Sequence, residues 1–196
     1  MRKRLLYVAI LCFLIIGIGC SNTANKGTET NSESDINAQT SNTGDAREDQ
    51  TKNNQDKLSI TLYFSDKQAG KLIAEKREVD QSTVLNNPEQ TIVAELIKGP
   101  VKQDLAATIP NGTRLLSVKK DGTTLTLDFS KEFVENHSGG SAGETLTIYS
   151  IVNSLTELKD VENIKFLIEG QERKEYKGHY EFDMPFARNE EIINKN

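Results

Sequence analysis

Cysteine is almost absent from this sequence. The chain of 196 residues has only two cysteines, Cys12 and Cys20, and both lie within its first twenty residues. If that segment is removed and Cys20 is modified, as the N-terminal motif indicates, no free thiol remains. Disulfide bonds, a cysteine nucleophile and a thiolate metal site are then excluded.

Positive charge is also scarce. The chain has 24 Lys and Arg against 29 Asp and Glu, which gives a formal charge of −5. Removal of Arg2, Lys3 and Arg4 with the N-terminal segment, which has no acidic residue, lowers that charge to −8. Such an acidic protein lacks the basic patches that displace counterions from nucleic acid, so we expect no nucleic-acid partner. The sequence also has no P-loop and no dinucleotide-binding fingerprint, and we expect no cofactor.

The N-terminus has the features of a secretory signal. Arg2, Lys3 and Arg4 are followed by an apolar run at residues 5–18 and by small residues before Cys20. The apolar run is shorter than the roughly 20 residues of a bilayer span. An uncleaved membrane helix stays open as an alternative.

Residues 17–20, GIGC, resemble the bacterial lipobox, in which the cysteine is lipidated and becomes the first mature residue. Gly17 stands where that motif usually has leucine. We therefore predict a lipoprotein signal peptide at residues 1–20. Acyl chains such as palmitate on Cys20 would anchor the protein at the extracytoplasmic face of the cell membrane. The alternative is a secreted protein that an ordinary signal peptidase cleaves.

Residues 21–56 contain almost no large apolar side chains and are rich in Asn, Thr, Ser, Asp and Glu. Such a segment buries too little apolar surface to offset the entropy cost of ordering, so we predict a disordered tether. A flexible coil of this length reaches on the order of 30 Å. Its simplest role is that of a spacer between the membrane and a folded domain.

Alternating and helical apolar patterns after the tether predict the order β-β-α-β-β-α-β, followed by an extended arm. The predicted elements are strands at 58–64 and 72–79, a helix ending at 99, a hairpin at 114–129, a helix at 141–158, a strand at 163–169 and an arm at 176–186. Hairpins join consecutive strands in this reading, and no parallel β-α-β pattern is evident. We therefore expect an α+β domain at residues 57–188, with one mixed or antiparallel sheet and two helices on one face, and a polar tail at 189–196.

The hairpin at residues 114–129 is the clearest local signal. Asp121-Gly122 between alternating hydrophobic residues predicts a two-residue type I′ turn, in which both central residues have positive φ. The cross-strand pairs that follow are Lys120 with Thr123, Val118 with Leu125 and Leu116 with Leu127. The apolar members of these pairs should share the buried face.

Both predicted helices carry signals at their ends. Asn87 is the predicted N-cap and Pro88 the first residue of the first helix, which Gly99 ends. Ser141 and Glu144 predict a capping box at the start of the second helix. The charge-rich strand at 72–79 is predicted to lie at a sheet edge.

Four stretches resemble the GerMN domain of sporulation and spore-germination proteins. They are residues 58–64, residues 109–118 (IPNGTRLLSV) with 125–130 (LTLDFS), residues 143–158 (GETLTIYSIVNSLTEL) with 164–170, and residues 178–185 (GHYEFDMP). Together they span nearly the whole chain after the tether, which has room for one copy of the domain. The resemblance implies an extracytoplasmic module, often on lipoproteins, whose fold is similar to the ring-building motifs of assemblies between mother cell and forespore. The family brings no catalytic residues.

One motif suggests an enzyme. Residues 139–143, GGSAG, fit the G-x-S-x-G motif of α/β-hydrolases, and Asp160 and His179 follow Ser141 in the order of their triad. That motif needs a strand directly before the serine, whereas residues 135–138 are polar and not strand-like. A serine hydrolase at Ser141 is therefore a remote alternative, and we predict no enzyme activity.

The same loop is a candidate ligand site. Gly139, Gly140, Ser141 and Gly143 surround the start of the predicted helix, where open backbone N–H groups can bind an anion. A carboxylate or phosphate of the cell wall would fit there. The alternative is a loop and helix cap without a ligand.

Only two histidines occur, His137 and His179. Neither has metal-binding spacing with a carboxylate such as Glu135 or Asp183, so we expect no metal site.

The expected function is that of a membrane-anchored module that binds a protein partner in an envelope or sporulation assembly. The exposed edge of the strand at 72–79 would accept a partner strand. The alternative is a binder of peptidoglycan or another wall ligand, for which Tyr176, Tyr180 and Phe182 are candidate stacking groups. Composition does not separate the two.

Overall fold

A computed structural model describes residues 56–195 of the chain. The described residues form seven strands and four helices. The strands are β1 (Lys57–Asp66), β2 (Leu72–Asp80), β3 (Leu105–Ala106), β4 (Leu115–Asp121), β5 (Thr124–Phe129), β6 (Asn163–Ile168) and β7 (Phe186–Ala187). The helices are α1 (Gln81–Asn86), α2 (Pro88–Lys98), α3 (Glu132–Glu135) and α4 (Ser141–Leu155). The predicted signal peptide, the predicted lipidation site Cys20 and the tether up to residue 55 lie outside the described residues.

The α+β class is confirmed, but the strands form two sheets instead of one. One sheet is antiparallel with the order β2-β1-β3. The other has the order β4-β5-β6-β7, and its strands β5 and β6 are parallel. The expectation that hairpins join all consecutive strands is therefore wrong between β5 and β6. Parallel strands need a crossover of about a dozen residues or more, and residues 130–162, with α3 and α4, supply it.

The sheets are separate because α4 occupies the edge of β1 that a further strand would need. The backbone N–H of Tyr63 donates to Ser154 Oγ at 3.0 Å, and Ser150 Oγ donates to the Tyr63 carbonyl at 2.5 Å. These two side chains satisfy backbone groups that a neighbouring strand would otherwise pair. β1 meets β3 only beyond this point, at Ser65 and Asp66.

One hydrophobic core joins both sheets and the helices. Apolar residues of β1, α2, α4, β5 and β6 meet in it, and full burial of each such side chain contributes about 1.5–3 kcal/mol. Members with no exposed surface include Leu62, Phe64, Val93, Leu96, Leu125, Leu127, Phe129, Ile148, Ile151, Val152, Leu155, Ile164 and Phe166. The apolar stripe predicted for the second long helix thus faces the core.

The central hairpin forms, but its turn lies one residue later than predicted. The observed pairs include Asp121 with Thr124, Lys120 with Leu125 and Val118 with Leu127. The two loop residues are therefore Gly122 and Thr123, of which only Gly122 has a positive φ, at 57°. A type I′ turn requires positive φ at both positions, whereas a type II′ turn places glycine first, as here.

A β-bulge between Leu115 and Ser117 changes the start of β4. Because a bulge inserts a residue without a cross-strand partner, it removes Leu116 from the ladder. Leu116 is 44% exposed. Its predicted pairing with Leu127 on the buried face is therefore wrong.

The helix ends agree with the prediction for α2 and differ for α4. α2 begins at Pro88 and ends at Lys98, and its C-cap is Gly99, whose φ is 83°, although the Asn87 side chain makes no capping bond. α4 has Gly140 as its N-cap, so Ser141 is its first residue and the predicted capping box does not form. Its other predicted member, Glu144, is buried and binds elsewhere. The additional helix α1 was not predicted, and its cap is Asp80.

Residues 189–195, predicted as a polar tail, lie against the first sheet. The N–H of Leu72 donates to the carbonyl of Ile192, and the N–H of Asn194 donates to the carbonyl of Leu72, both at 2.8 Å. Ile192 and Ile193 pack on a small cluster formed by Tyr63, Leu72 and Leu146. The two isoleucines fasten the end of the chain to the beginning of β2.

We expect Ser150→Ala to lower the free energy of unfolding by about 1–3 kcal/mol, because it leaves buried polar groups without partners. Ser150 Oγ donates to the Tyr63 carbonyl and lies 2.6 Å from Thr108 Oγ1. Urea denaturation measures the change. Ser117→Ala on the exposed side of β4 is the matched control and should cost less than about 0.5 kcal/mol. Equal costs in the two variants would contradict the role of Ser150.

Candidate functional site

A cleft of about 270 Å³ opens beside the first turns of α4, and we name it the α4 cleft. Four segments line it: the end of β1 with the turn that follows, β3 with the residues after it, the loop before α4, and α4 itself. Its lining includes Asp66, Lys67, Ala107, His137, Gly143 and Thr147. The cleft therefore combines charged, small apolar and hydroxyl side chains in a space of small-molecule size.

His137 lines the α4 cleft and is buried. The N–H of Gly139 donates to His137 Nδ1 at 2.8 Å, so this nitrogen carries no proton. Nε2 then carries the proton and donates to Thr147 Oγ1 at 3.1 Å, and the Thr147 hydroxyl donates to the Thr108 carbonyl at 2.7 Å. Burial lowers the pKa of His137. The hydrogen bonds and the pKa shift both favour the neutral ring.

The predicted ligand loop contributes one residue to the cleft. Of Gly139, Gly140, Ser141 and Gly143, only Gly143 lines it. The N–H of Gly139 donates to His137 Nδ1, and the carbonyl of Gly140 accepts from the N–H of residue 144. Ser141 is exposed, and its N–H has no acceptor within residues 56–195. An anion site at this loop stays a prediction.

The triad proposed for a hydrolase does not assemble. Ser141 is the first residue of α4, whereas Asp160 lies beyond its last residue, and a helix of this length spans about 22 Å. Asp160 pairs with Lys120 near the central hairpin. His179 Nδ1 lies 2.8 Å from Glu144 Oε1, so its partner is not the serine.

Glu144 instead fastens the predicted closing arm to α4. Its carboxylate has no exposed surface and accepts a second hydrogen bond, from the backbone N–H of His179 to Oε2 at 3.2 Å. Two bonds from one residue satisfy both oxygens of a carboxylate whose burial would otherwise be costly. Sequence analysis assigned Glu144 to a helix cap and missed this role, since only the partner 35 positions away reveals it.

The predicted stacking residues are mostly internal. Tyr176 and Phe182 have no exposed surface, and the Tyr176 hydroxyl donates to the Phe133 carbonyl at 2.6 Å. Their rings contact each other and cannot stack on a ligand, so that prediction is wrong for both. Tyr180 is half-buried and lies edge-on to Tyr149, with ring centroids 6.2 Å apart. Burial, followed by its contact with Tyr149, raises the pKa of Tyr180 to about 12.

Within residues 56–195, no three His, Cys, Asp or Glu side chains group in a way that would hold a metal ion. The ring nitrogens of His137 and Nδ1 of His179 already have the partners given above. In the same residues, none of the helices combines the length and the apolar character needed to cross a membrane.

β2 is an edge strand, as predicted for residues 72–79. The bonds from Leu72 to residues 192–194 show that its backbone groups point away from β1. Because this direction alternates along a strand, the backbone groups of Lys76 and Glu78 point outward as well. Neither has a hydrogen bond on that side within the described part of the chain. The edge is therefore open from the middle of β2 onward.

A buried ion cluster supports β2 from the core side. Arg77 contacts the carboxylates of Glu75 and Glu95. Glu75 also accepts backbone N–H bonds from Val101 and Lys102, at 3.0 and 2.9 Å. Burial opposes ionisation of Glu75, but these bonds and Arg77 hold its pKa below its ordinary value. They also place Val101, which is 76% exposed, next to the Glu75 carboxylate.

β4 has a free edge too, but that edge is irregular. The bulge at Leu116 interrupts its ladder, and Lys119 and Lys120 are exposed. Bulges and lysines are the devices by which proteins prevent strand addition. β2 keeps an uninterrupted register of nine pairs with β1. Of these two edges, β2 is the one that suits a partner strand.

Comparison with known proteins identifies similar domains. Residues 61–174 match the family model Germane, described as sporulation and spore germination. The tandem GerMN domains of the sporulation protein GerM from Bacillus subtilis are 20% identical, over 70% of this chain and 48% of that one, with a TM-score of 0.60. The first GerMN domain of GerM is 21% identical, over 68% and 98%, with a TM-score of 0.55.

This chain therefore spans about half the length of the tandem structure. A search of curated proteins found no significant match. The two structural similarities confirm the GerMN-like fold that the sequence predicted.

The lowered pKa of His137 predicts a pH dependence of stability. The unfolded chain binds a proton at this residue near its ordinary pKa of about 6.5, whereas the folded chain resists protonation. The free energy of unfolding should therefore fall as the pH drops below about 6.5, by up to about 1.4 kcal/mol per pH unit.

Denaturant titrations between pH 5 and about 7.5 measure this slope. His137→Asn should remove the share due to His137, whereas Lys119→Gln, at an exposed position of β4, is the control and should retain it. A slope that is unchanged in His137→Asn would contradict the assignment.

Proposed function

This chain belongs to the Germane family of sporulation and spore germination proteins, and from this we propose that it is a membrane-anchored extracytoplasmic lipoprotein. Its GerMN-like domain would bind another protein without catalysing a reaction. The setting would be a sporulation, germination or cell-envelope assembly.

The open edge of β2 is the observation that carries the proposed binding role. A partner segment in extended conformation would pair with the outward backbone groups of Lys76 and Glu78. In strand addition, main-chain hydrogen bonds give affinity and alternate side chains give specificity. Lys76 and Glu78 have exposed side chains of opposite charge on one face of β2. The exposed Val101, whose N–H binds the Glu75 carboxylate, lies on the other face.

The N-terminal features support the extracytoplasmic location. A lipid on Cys20 would hold the chain at the membrane, and the tether would let the domain move within on the order of 30 Å of it. Confinement near the membrane raises the effective concentration of the domain for partners held at the same surface. A contact as small as one added strand can then suffice.

The arrangement of polar residues supports a non-catalytic role. Ser141, Asp160 and His179 do not converge, and His137 is engaged by backbone and threonine groups. The hydrogen bonds of His137 and His179 serve the packing of α4 and of the closing arm.

A second candidate function is the binding of a cell-wall ligand. The α4 cleft favours it, because this cleft lies beside the predicted ligand loop and includes Gly143. A pull-down with insoluble peptidoglycan tests this candidate. Ala107→Leu narrows the cleft and should reduce the amount of protein retained. If Ala107→Leu is retained as well as the wild type, the cleft is not the binding site.

We expect Lys76→Pro to abolish partner binding and to leave the fold intact. Proline lacks the N–H that a partner strand would use, and at this position that N–H takes no part in the ladder with β1. Lys76→Ala keeps the N–H and is the matched control. In cells, a photo-crosslinking residue at Glu78 should give a specific adduct in the wild type and in Lys76→Ala but not in Lys76→Pro.

Mass spectrometry of the adduct identifies the partner. The same crosslinker at Lys119 on the irregular β4 edge should give no such adduct. An adduct that persists in Lys76→Pro, or that forms equally from Lys119, would refute strand addition at β2.

Metabolic labelling tests the anchor. Labelled palmitate should enter the wild-type chain, and Cys20→Ser should abolish the label and release the protein from the membrane fraction, because one residue carries the acyl chains. Cys12→Ser is the matched control and should retain both. Labelling that survives in Cys20→Ser would exclude the proposed anchor.

A further inference from the structure

The α4 cleft has no part in strand addition at β2, and its chemistry suits a defined class of ligand. Its volume of about 270 Å³ lies just below the roughly 300–1,000 Å³ that is usual for small-molecule sites. A molecule of the size of an amino acid or a dipeptide fits such a space. A glycan chain needs a longer groove.

The charges of the cleft are balanced. Asp66 and Lys67 are the charged side chains of its lining, and His137 is held neutral by its hydrogen bonds. A phosphate-rich polymer would meet one cation and one anion, and a simple cation would meet the same pair. A ligand with one positive and one negative group can pair with both Asp66 and Lys67.

The buried polar groups of the cleft already have hydrogen-bond partners, so a ligand would have to bind to the exposed polar side chains of the lining. Thr108 and Thr147 bond to Ser150, His137 and each other. In contrast, the Lys67 ammonium and the Ser138 hydroxyl have no hydrogen-bond partner among the described residues. The Asp66 carboxylate accepts one hydrogen bond, from Gly70 N–H to Oδ1 at 2.7 Å, which leaves Oδ2 for a ligand.

The remaining lining is apolar and has little bulk. Ala69 and Ala107 are exposed and Ala106 is half-buried, whereas Ile109 and Leu146 are buried. Small side chains in the protein leave room for a small side chain in the ligand, and a bulky aromatic ligand would exceed the volume.

We propose that the α4 cleft binds a small zwitterion: a free amino acid with a small aliphatic side chain, or a short peptide of such residues. The ligand's ammonium group lies against Asp66, its carboxylate against Lys67, and its side chain against the alanines. This site is separate from the proposed partner binding at β2. If the domain binds the cell wall, as the second candidate function holds, the proposal implies that it binds wall peptide and not glycan.

NMR titration of the full-length protein in detergent tests the proposal. The probes are D- and L-alanine, alanylalanine, its N-acetyl form, its amide and inorganic phosphate. Alanine or alanylalanine should shift the amide signals of residues 66–69, 106–108 and 143–147 in a saturable manner. The acetylated and amidated forms, each of which lacks one charge, should bind at least tenfold more weakly.

Asp66→Asn, which keeps the bond to Gly70, and Lys67→Gln should each weaken binding tenfold or more, and Ala107→Leu should block it. Lys119→Gln, on β4, is the matched control and should bind as the wild type does. Equal binding of the blocked peptides, shifts with phosphate alone, or no shift with any probe would overturn the proposal. Crosslinking at Glu78 measures partner binding separately, so a negative NMR titration would refute the cleft proposal without refuting partner binding at β2.

Discussion

The contact between α4 and β1 is the interaction on which the rest of the structure depends. α4 is buried on a polar side as well as on its apolar one, because Thr147, Ser150, Asn153 and Ser154 are all buried. Each has a partner, in the Tyr63 backbone, the Thr108 carbonyl or Asn189. A buried polar group without a partner costs about 1–3 kcal/mol, so these bonds restrict the helix to one position. That position leaves only Ser65 and Asp66, at the end of β1, to pair with β3, and it sets the cleft at the start of α4.

Signals that act within a few residues predicted the elements of this fold. The start of α2 at Pro88, its end at Gly99 and the edge position of β2 all follow from neighbours in the sequence. The division into two sheets does not, because it rests on a bond between Tyr63 and Ser154, which are 91 positions apart. The hairpin register failed for a local reason: Gly122 takes the first loop position, and a bulge removes Leu116 from the ladder.

The candidate sites were harder to predict because aromatic and charged residues serve the interior as readily as a surface. Tyr176 and Phe182 lie in a segment without periodicity, so nothing in the sequence separates a stacking platform from a core residue. Glu75 and Arg77 show the same ambiguity for charge, since their alternation in β2 fits an exposed edge until Glu95 is placed beside them. The cleft draws its lining from four separate segments, and no single stretch of sequence contains its pattern.

The position of β1 determines how the domain bears mechanical load. β1 is the first element after residue 56, and it is also the central strand of its sheet. A pull on the preceding chain therefore enters the middle of the domain and not its periphery. β2 holds β1 along one side, and the α4 serines and β3 hold it along the other. Tension is shared between two rows of hydrogen bonds, and the outer strand β2 lies beside the load path.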